Sequence, residues 1–487
     1  MVNTLGNGKN IDTEKTVLVT GATGYVAGRL VPLLLDSGYR VRTMGRSLDK
    51  MASRAWGGHP RVEPVRGDIM DVASLEKAVR GCGTIYYLVH SMISQKGQYR
   101  QADRIGARNM ARAAAVERAD QIIYLGGLGD IAHRNISRHL VSRNEVGEIL
   151  RQGPVPVTVL RAAMILGSGS ASFEILRYLV ERLPVMITPK WVTMETQPIA
   201  ITNVLGYLKG CLEHPETRGK TFDIGGPDIV TYRELFQRHA AMAGLPRPRL
   251  IPVPVLTPRL SALWINLVTP VPATIARPLT EGLSMPTLCT EDSITRIIPQ
   301  HLINCTEGIQ RALAPCGANP DIRRYPESPH CGDADYSGGT ILQWGLQAQA
   351  RGACPPLETA METMDRKCLY NSVLWKVRGL FLNRKKRSNF WRRLKIEAPS
   401  TLLFQDEMPV PGRALLTIGF HATDNHRCRL TILYRFFPRG LIGIAYWYLL
   451  YPFHHRMFAH MFKGIVKETD LELLSPPERF TPEKTIS

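Results

Sequence analysis

A glycine-rich run, Thr20-Gly21-Ala22-Thr23-Gly24-Tyr25-Val26-Ala27-Gly28, stands between a strand-like and a helix-like stretch. The spacing Gly21-x-x-Gly24-x-x-Ala27 lets backbone approach a ligand, and a helix opening there offers unpaired N–H groups and its positive dipole end. A diphosphate fits such a turn, so Gly21, Ala22, Thr23, Gly24, Tyr25 and Val26 form the first part of a dinucleotide site. A turn that only needs positive φ is the alternative reading. At the end of the second strand, an NAD-selective site carries an acid for the ribose 2′-hydroxyl; here the chain has Arg46 with Ser47 beside it. A guanidinium pairs bidentately with a 2′-phosphate, which favours NADP(H), with NAD(H) as the alternative. Arg46 also reads as a solvated surface arginine, with Asp49 as a distant acid. Asp68 and Ile69 close the third strand. Asp68 either accepts from an adenine amino group or caps the next helix, a role open to Asp71 or Ser74 as well. Leu88, Val89, His90 and Ser91 lie at the carboxyl end of the fourth strand, where ligands of this architecture bind. His90 suits proton transfer or the pairing of nearby backbone.

The elements that must position these groups alternate along the chain. Strand-like runs at 16–20, 40–44, 62–66, 84–89, 121–125 and 157–161 are separated by helix-like segments. The segment 25–37 places Val26, Leu30, Leu33 and Leu34 on one face, with Pro32 as a local disturbance. Continuous apolar strands alternating with helices give a parallel sheet covered on both faces, an α/β Rossmann architecture with doubly wound topology. From about 165 the pattern loosens into a substrate or lid region reaching 315, with helices over 173–183 and 231–243, a strand over 221–224, and Thr231 as N-cap with Glu234 three residues on. The prolines of 250–279 forbid one long helix and favour short lid helices. Residues 316–340, rich in Gly, Pro, Cys and Asp, read as a linker. Strands at 401–406, 414–420 and 429–436, with turns at Pro411-Gly412 and Asp424-Asn425, precede an aromatic helix over 441–466, which makes an α+β unit over 341–470. Residues 1–14 and 471–487 read as tails.

The chain has 487 residues, 44% of them hydrophobic, enough for two or three domains. Nine scattered cysteines, an odd number without a CxxC pair, fit free thiols in a reducing compartment, and no metal site is expected. The N-terminus lacks the apolar core of a signal peptide, and the longest apolar stretch, 441–453, is too short to span a bilayer. A cytoplasmic protein is expected. The net charge of +19 suits an anionic cofactor or peripheral contact with an anionic membrane at its inner face, or reflects solubility alone. No nucleic-acid module appears.

Together these residues resemble the atypical, extended branch of the short-chain dehydrogenase/reductase superfamily, which includes NmrA-like proteins and the nucleotide-binding accessory subunit of respiratory complex I. The resemblance covers about residues 15–315 and rests on the 20–28 loop, Gly67-Asp68 and Arg161 after the sixth strand; it implies that Arg161 joins the cofactor site. Longer runs are similar to a bacterial group that adds a C-terminal domain of unassigned function. They include Tyr87-Leu88-Val89-His90-Ser91-Met92, Tyr124-Leu125-Gly126-Gly127-Leu128-Gly129, the stretch from His139 to Glu148, Thr196-Gln197-Pro198 and Pro254-Val255-Leu256. The C-terminal match is Pro438-Arg439-Gly440-Leu441, Tyr446-Trp447-Tyr448 and Pro452-Phe453-His454. That domain resembles a START-like helix-grip fold, which implies a curved sheet around a long helix over an apolar cavity; an ordinary aromatic core is the alternative.

Active members of the superfamily use a Tyr-x-x-x-Lys pair and a serine. The corresponding stretch here is His139-Leu140-Val141-Ser142-Arg143, and the serine-bearing strand end is Gly126-Gly127. Arg143 can bind ribose or phosphate but cannot relay a proton. His139, His90 and Tyr87, with Arg143, are therefore the catalytic candidates. The related group carries a glycine-rich basic loop before Phe390-Trp391; here 383–388 runs almost straight into it. The resemblance implies an NADP(H)-dependent oxidoreductase for a hydrophobic carbonyl, quinone or isoprenoid-like molecule. A non-catalytic NADP(H)-binding sensor or assembly factor with a protein partner is the second reading, and an apolar-ligand carrier built on the C-terminal half the third.

Overall fold

The computed structural model describes residues 15–89, 99–130, 136–253, 268–314, 340–352, 354, 391–398, 401–406, 410–424, 427–469 and 471–480. The expected tail 1–14, nearly all of the linker, and His90 with Ser91 lie outside them.

The first sheet contains β1 (Thr16–Thr20), β2 (Val41–Gly45), β3 (Val62–Arg66), β4 (Cys82–Tyr87), β5 (Gln121–Gly127) and β6 (Val157–Ala162). A separate strand, β7 (Val185–Thr188), precedes the sheet's last member, β8 (Thr221–Ile224). The strand order is β8-β6-β5-β4-β1-β2-β3 and every pairing is parallel. This is the expected Rossmann sheet. Its order reverses between β1 and β4, which opens a crevice at their carboxyl ends.

Helices cover both faces. On one, α1 (Tyr25–Asp36) shares a core with Val17, Val19 and Tyr86 and with residues 201–211. Pro32 sits inside α1 without ending it, while Ala27, Leu30, Val31, Leu34 and Leu35 are buried. A short helix, α2 (Leu48–Ala52), follows β2. The opposite face is covered by α3 (Val72–Val79), α4 (Tyr99–Val116) and α5 (Arg138–Arg151).

Beyond β6 the chain builds α6 (Ala171–Arg182), α7 (Ile201–Glu213) and α8 (Tyr232–Met242), then β9 (Arg249–Pro252), which pairs in parallel with β7. Thr231 and Glu234 form the expected capping box on α8. The short helices expected in the proline-rich stretch are represented by α9 (Ala273–Glu281), with Pro278 inside it. Next comes α10 (Cys305–Leu313).

The C-terminal unit is antiparallel. Its strands are β10 (Leu342–Arg351), β11 (Trp391–Ala398), β12 (Thr401–Asp406), β13 (Gly412–Asp424) and β14 (Arg427–Pro438), and its long helix is α11 (Gly440–Glu468). β15 (Glu472–Leu473) and β16 (Glu478–Phe480) follow that helix and both pair with β10. The tail expected from 471 is therefore corrected: residues 471–480 are docked. Backbone pairing to β10 holds them, including Leu474 N–H to the Gln349 carbonyl at 2.9 Å. The sheet order is β11-β12-β13-β14-β10-β15, with β10 and β11 as strands beyond those expected. One face of α11 packs on this sheet through stacked rings: Tyr434 on Trp447 at 5.6 Å and Trp344 on Phe458 at 5.2 Å. The two units touch where α11 begins: a Cβ added at Gly440 would lie 3.2 Å from the Glu181 carbonyl.

Candidate functional site: the carboxyl edge of the parallel sheet

The Thr20 hydroxyl donates to the Tyr86 carbonyl at 3.0 Å and accepts from Leu88 N–H at 3.1 Å, fastening the end of β1 to the end of β4. Gly21 follows with φ +62; a Cβ there would sit 3.1 Å from the Leu88 carbonyl oxygen. Both features demand glycine. Ala22 N–H reaches the Met44 carbonyl at 3.1 Å and Gly24 N–H the Gly21 carbonyl at 2.8 Å, so the loop is rigid before a ligand arrives. Gly24 is the N-cap of α1 and brings no side-chain acceptor. The first-turn amides at Tyr25 and Val26 stand at the positive dipole end of α1, where an anion is favoured. The Tyr25 ring is backed by the Arg29 guanidinium, 4.2 Å from its centroid.

Arg46 is exposed just past β2, and the Ser47 hydroxyl caps α2 by accepting from Lys50 N–H at 3.3 Å. A second cation escaped the sequence reading: Arg54 folds back and donates to the Thr23 carbonyl in the glycine loop. Its only signal was a second arginine eight residues after Arg46, in the bend that follows the short helix α2. Arg54 thus lies against the glycine loop, while Arg46 is exposed past the end of β2. Arg46→Ala and Arg54→Ala should each weaken NADP(H) by about 1–3 kcal/mol and leave NAD(H) nearly unchanged, read by calorimetric titration of both coenzymes.

Of the two roles open to Asp68, helix capping belongs to Asp71, which accepts from Ala73 N–H at 3.1 Å. Asp68 Oδ1 accepts instead from Met70 N–H at 2.9 Å, forming a local turn. Ile69 is a correction. Its side chain packs into the core against Gly106, where a Cβ would lie 2.5 Å from Ile69 Cδ1, and Asn109 takes its carbonyl at 2.9 Å. Tyr87 is also corrected as an acid: it is fully buried beside Tyr124, 6.1 Å between centroids, and burial pushes its hydroxyl far above the usual range. Leu88 and Val89, expected within the strand, follow its end and line the turn at Gly21.

His139 and Arg143 stand one turn apart at the start of α5, hence on one face. Ser137 caps this helix by accepting from Leu140 N–H at 3.2 Å. Arg143 is buried; it donates to the Leu125 carbonyl and lies over the Tyr124 ring at 4.8 Å, while its Nη1 has no hydrogen-bond partner among the described residues. The Tyr124 hydroxyl returns to the Arg143 carbonyl at 2.8 Å. A Cβ at Gly127 would meet Leu140 Cδ2 at 2.7 Å, so this strand end must be bare for α5 to approach. Behind the pair, the Ser142 hydroxyl donates to Asp103 Oδ2 at 3.2 Å. Arg161, expected to join the cofactor site, pairs with Asp223 at 2.6 Å, whose other oxygen accepts from Thr290 N–H at 2.9 Å. An acid already neutralises that cation, so it braces β6 to β8. Residues 282–285 cover the start of α5: Gly282 lies beside the Ser137 hydroxyl and Met285 beside Gly129.

Burial, aided by the Arg143 charge, pulls the His139 imidazole down to about 3. His139 is therefore neutral near pH 7, with one N–H to donate. His239, fully buried between Phe173 and Arg177, is pulled down to about 3 in the same way, first by burial and then by the Arg177 charge. An unfolded histidine binds its proton near 6.5, so the unfolded state gains protons first as pH falls. The stability supplied by these neutral rings is complete above about pH 6.5 and drains away as pH drops toward 3. Replacing His239 with leucine should reduce the pH slope of the unfolding free energy obtained from urea titrations over this window, by about 1.4 kcal/mol per pH unit if its proton is fully linked. An unchanged slope would show that the ring is protonated in the fold.

Among the described residues no group of His, Cys, Asp and Glu is arranged to hold a metal ion, and no helix is long and apolar enough to cross a membrane.

Residues 21–176 match the family described as NAD(P)H-binding, and residues 356–461 match one described as a protein of unknown function (DUF2867). The cinnamoyl-CoA reductase 1 of Petunia hybrida is 28% identical over 121 residues, 24% of this chain and 36% of that enzyme. The photosystem II assembly factor Ycf39 of Trieres chinensis is 24% identical over 233 residues, 47% of this chain and 69% of that protein. This chain thus spans about a third of the Petunia relative and about two thirds of the Trieres one. Among solved structures, the Citrobacter sp. triphenylmethane reductase is similar in fold, with a TM-score of 0.50 at 21% identity over 61% of this chain and 99% of that one.

Proposed function

Because residues 21–176 match an NAD(P)H-binding family, we propose that this chain is an NADP(H)-dependent reductase of the short-chain dehydrogenase/reductase type, acting on a hydrophobic quinone or enone. The observation that carries the reading is Arg143. It is held by the Leu125 carbonyl and the Tyr124 ring at the position of the usual lysine, with a buried Nη1 left over for a ligand. A buried guanidinium nitrogen without a partner is costly, and a ribose hydroxyl or phosphate oxygen relieves that cost. The first-turn amides of α1 take the diphosphate, and Arg46 and Arg54 take the 2′-phosphate.

NADPH would supply a hydride. The protein's part is to orient the acceptor, exclude water and stabilise the negative charge that the hydride creates. His139 stands where the usual tyrosine of the Tyr-x-x-x-Lys pair would be. His139, neutral at working pH, donates one hydrogen bond, and as imidazolium its proton would be held too weakly to persist. Such a site suits acceptors whose reduced form is a delocalised anion, because these need no strong acid in the hydride step. Quinones and enones qualify; simple ketones, which give a localised alkoxide, do not. Loss of NADPH absorbance with a panel of quinones, enones and simple ketones tests the reading. Turnover confined to the first two classes is expected, and silence across the panel with coenzyme bound would overturn it.

The absent tyrosine, lysine and serine, together with the likeness to an assembly factor, favour a second reading: an NADP(H)-binding assembly or sensor protein without turnover. It predicts a partner protein whose capture depends on coenzyme. For the C-terminal unit we propose a helix-grip arrangement of the START-like kind, supported by one long helix lying on an antiparallel sheet. The stacked rings of Trp344, Tyr434, Trp447 and Phe458 occupy the space between them, which favours a packed core over a carrier cavity.

A further inference from the structure

Helix α11 has two faces of different character. The inner face, with Trp447, His454, Met457, Phe458, Met461, Phe462 and Ile465, is buried on the C-terminal sheet. The outer face exposes Leu441, Ile442, Ala445, Tyr448, Leu449, Pro452 and Phe453, with Ile442 at 75% and Leu449 at 77% exposure. Further along the same face come Arg456, His460, Lys463 and Lys467, all exposed. At ~100° per residue these residues fall within one arc of about 140°. The apolar half is about 18 Å long, and the basic half about 16 Å. No Asp or Glu occurs between Arg439 and Lys467. A second exposed apolar strip adjoins: Val185, Ile187 and Ile251 on β7 and β9 follow α6, whose Glu181 carbonyl lies against Gly440.

We propose that this face docks on the surface of a bilayer containing anionic phospholipid, the apolar half entering the headgroup–acyl boundary and the basic half lying along the lipid phosphates. A single isolated apolar side chain at a surface needs no explanation, but a continuous exposed stripe does. What covers it must offer hydrocarbon at one end and negative charge at the other. A second copy of this chain fails that requirement. Packed head to head, the two basic halves would face each other; packed head to tail, each would lie on the partner's apolar half without an acid to pair. An anionic bilayer meets both needs at once, and the net charge of +19 adds long-range attraction. Tyr448, with a ring for the boundary and a hydroxyl for water, suits the same depth. The helix lies on the surface rather than crossing it, consistent with the burial of its inner face on protein.

The test is co-sedimentation of the full-length chain with vesicles of phosphatidylcholine alone and of phosphatidylcholine mixed with phosphatidylglycerol. Wild type should partition into the mixed vesicles at least about tenfold more strongly than into neutral ones, and added salt should reduce that preference. Ile442→Glu with Leu449→Glu should lower partitioning into the mixed vesicles by about tenfold or more. Lys463→Glu with Lys467→Glu should abolish the phosphatidylglycerol preference. Both variants replace exposed residues of α11, outside the glycine loop, so their NADP(H) binding and melting should match wild type, which separates lost docking from lost folding. Wild type staying in the supernatant with both vesicles would overturn the proposal. So would a lipid-free dimer that the Ile442→Glu/Leu449→Glu variant dissolves, because a second copy would then be the occupant.

Discussion

Replacing Gly21 with valine is expected to abolish measurable binding of both nicotinamide coenzymes. The residue sits at φ +62, where an L-residue costs about 1–2 kcal/mol and a β-branched one more. Its Cβ would also press on the Leu88 carbonyl at 3.1 Å, within the junction that the Thr20 hydroxyl ties together. Relief requires the loop to move away from β4, which turns the α1 amides off the diphosphate. The expected loss is at least a hundredfold, on the order of 3 kcal/mol. Gly21→Ala should show a smaller loss of the same kind. Calorimetry reports the affinity and a thermal melt reports the strain. A valine variant that binds coenzyme normally would mean that the loop does not hold the diphosphate. Loss of NADP(H) binding alone, with NAD(H) intact, would contradict the shared role given to these amides.

The second large effect concerns stability. Arg177 and Glu174 are buried together in α6: Arg177 Nη1 lies 3.3 Å from both Glu174 oxygens and 3.2 Å from the Ser168 hydroxyl, and its Nη2 donates to the Ala312 carbonyl at 2.9 Å. Glu174 also accepts from the Gly169 N–H at 2.8 Å and from the Ser168 hydroxyl at 3.0 Å. The pair therefore stitches the turn after β6 to α6 and α10. Arg177→Met removes the cation and leaves a buried carboxylate, at a cost of about 3–5 kcal/mol. Adding Glu174→Gln should recover part of that loss, since the stranded charge is gone. Urea unfolding of Arg177→Met, Glu174→Gln and the double variant reads the coupling. Strictly additive losses would show that the two side chains do not depend on each other.

Much of the first sheet was legible because its inner strands, buried on both faces, are continuous apolar runs; β1, β8 and the more exposed edge strand β3 have the expected bounds. β4 stops at Tyr87, short of the expected end, because the Thr20 hydroxyl rather than a neighbouring strand takes Leu88 N–H. β10 was overlooked since its Leu-Gln-Trp-Gly-Leu-Gln-Ala sequence has little β-branched character; it pairs along its length with β14, whose Thr431, Ile432, Tyr434, Phe436 and Phe437 favour a strand. The two- and three-residue strands after α11 leave no sequence signal at all. In the site, the glycine loop could be read from type and spacing, and the face shared by His139 and Arg143 from helical period. Arg54 could not, because only the return of the chain after β2 brings it to Thr23. Nor could the neutralisation of Arg161, which depends on an acid 62 residues away.

One titration decides the central matter: full-length protein in the calorimeter, first with NADPH and then with NADH. Saturable heat with NADPH, at higher affinity than with NADH, is the predicted result. Absence of heat with either coenzyme, from protein that melts cooperatively, would contradict it.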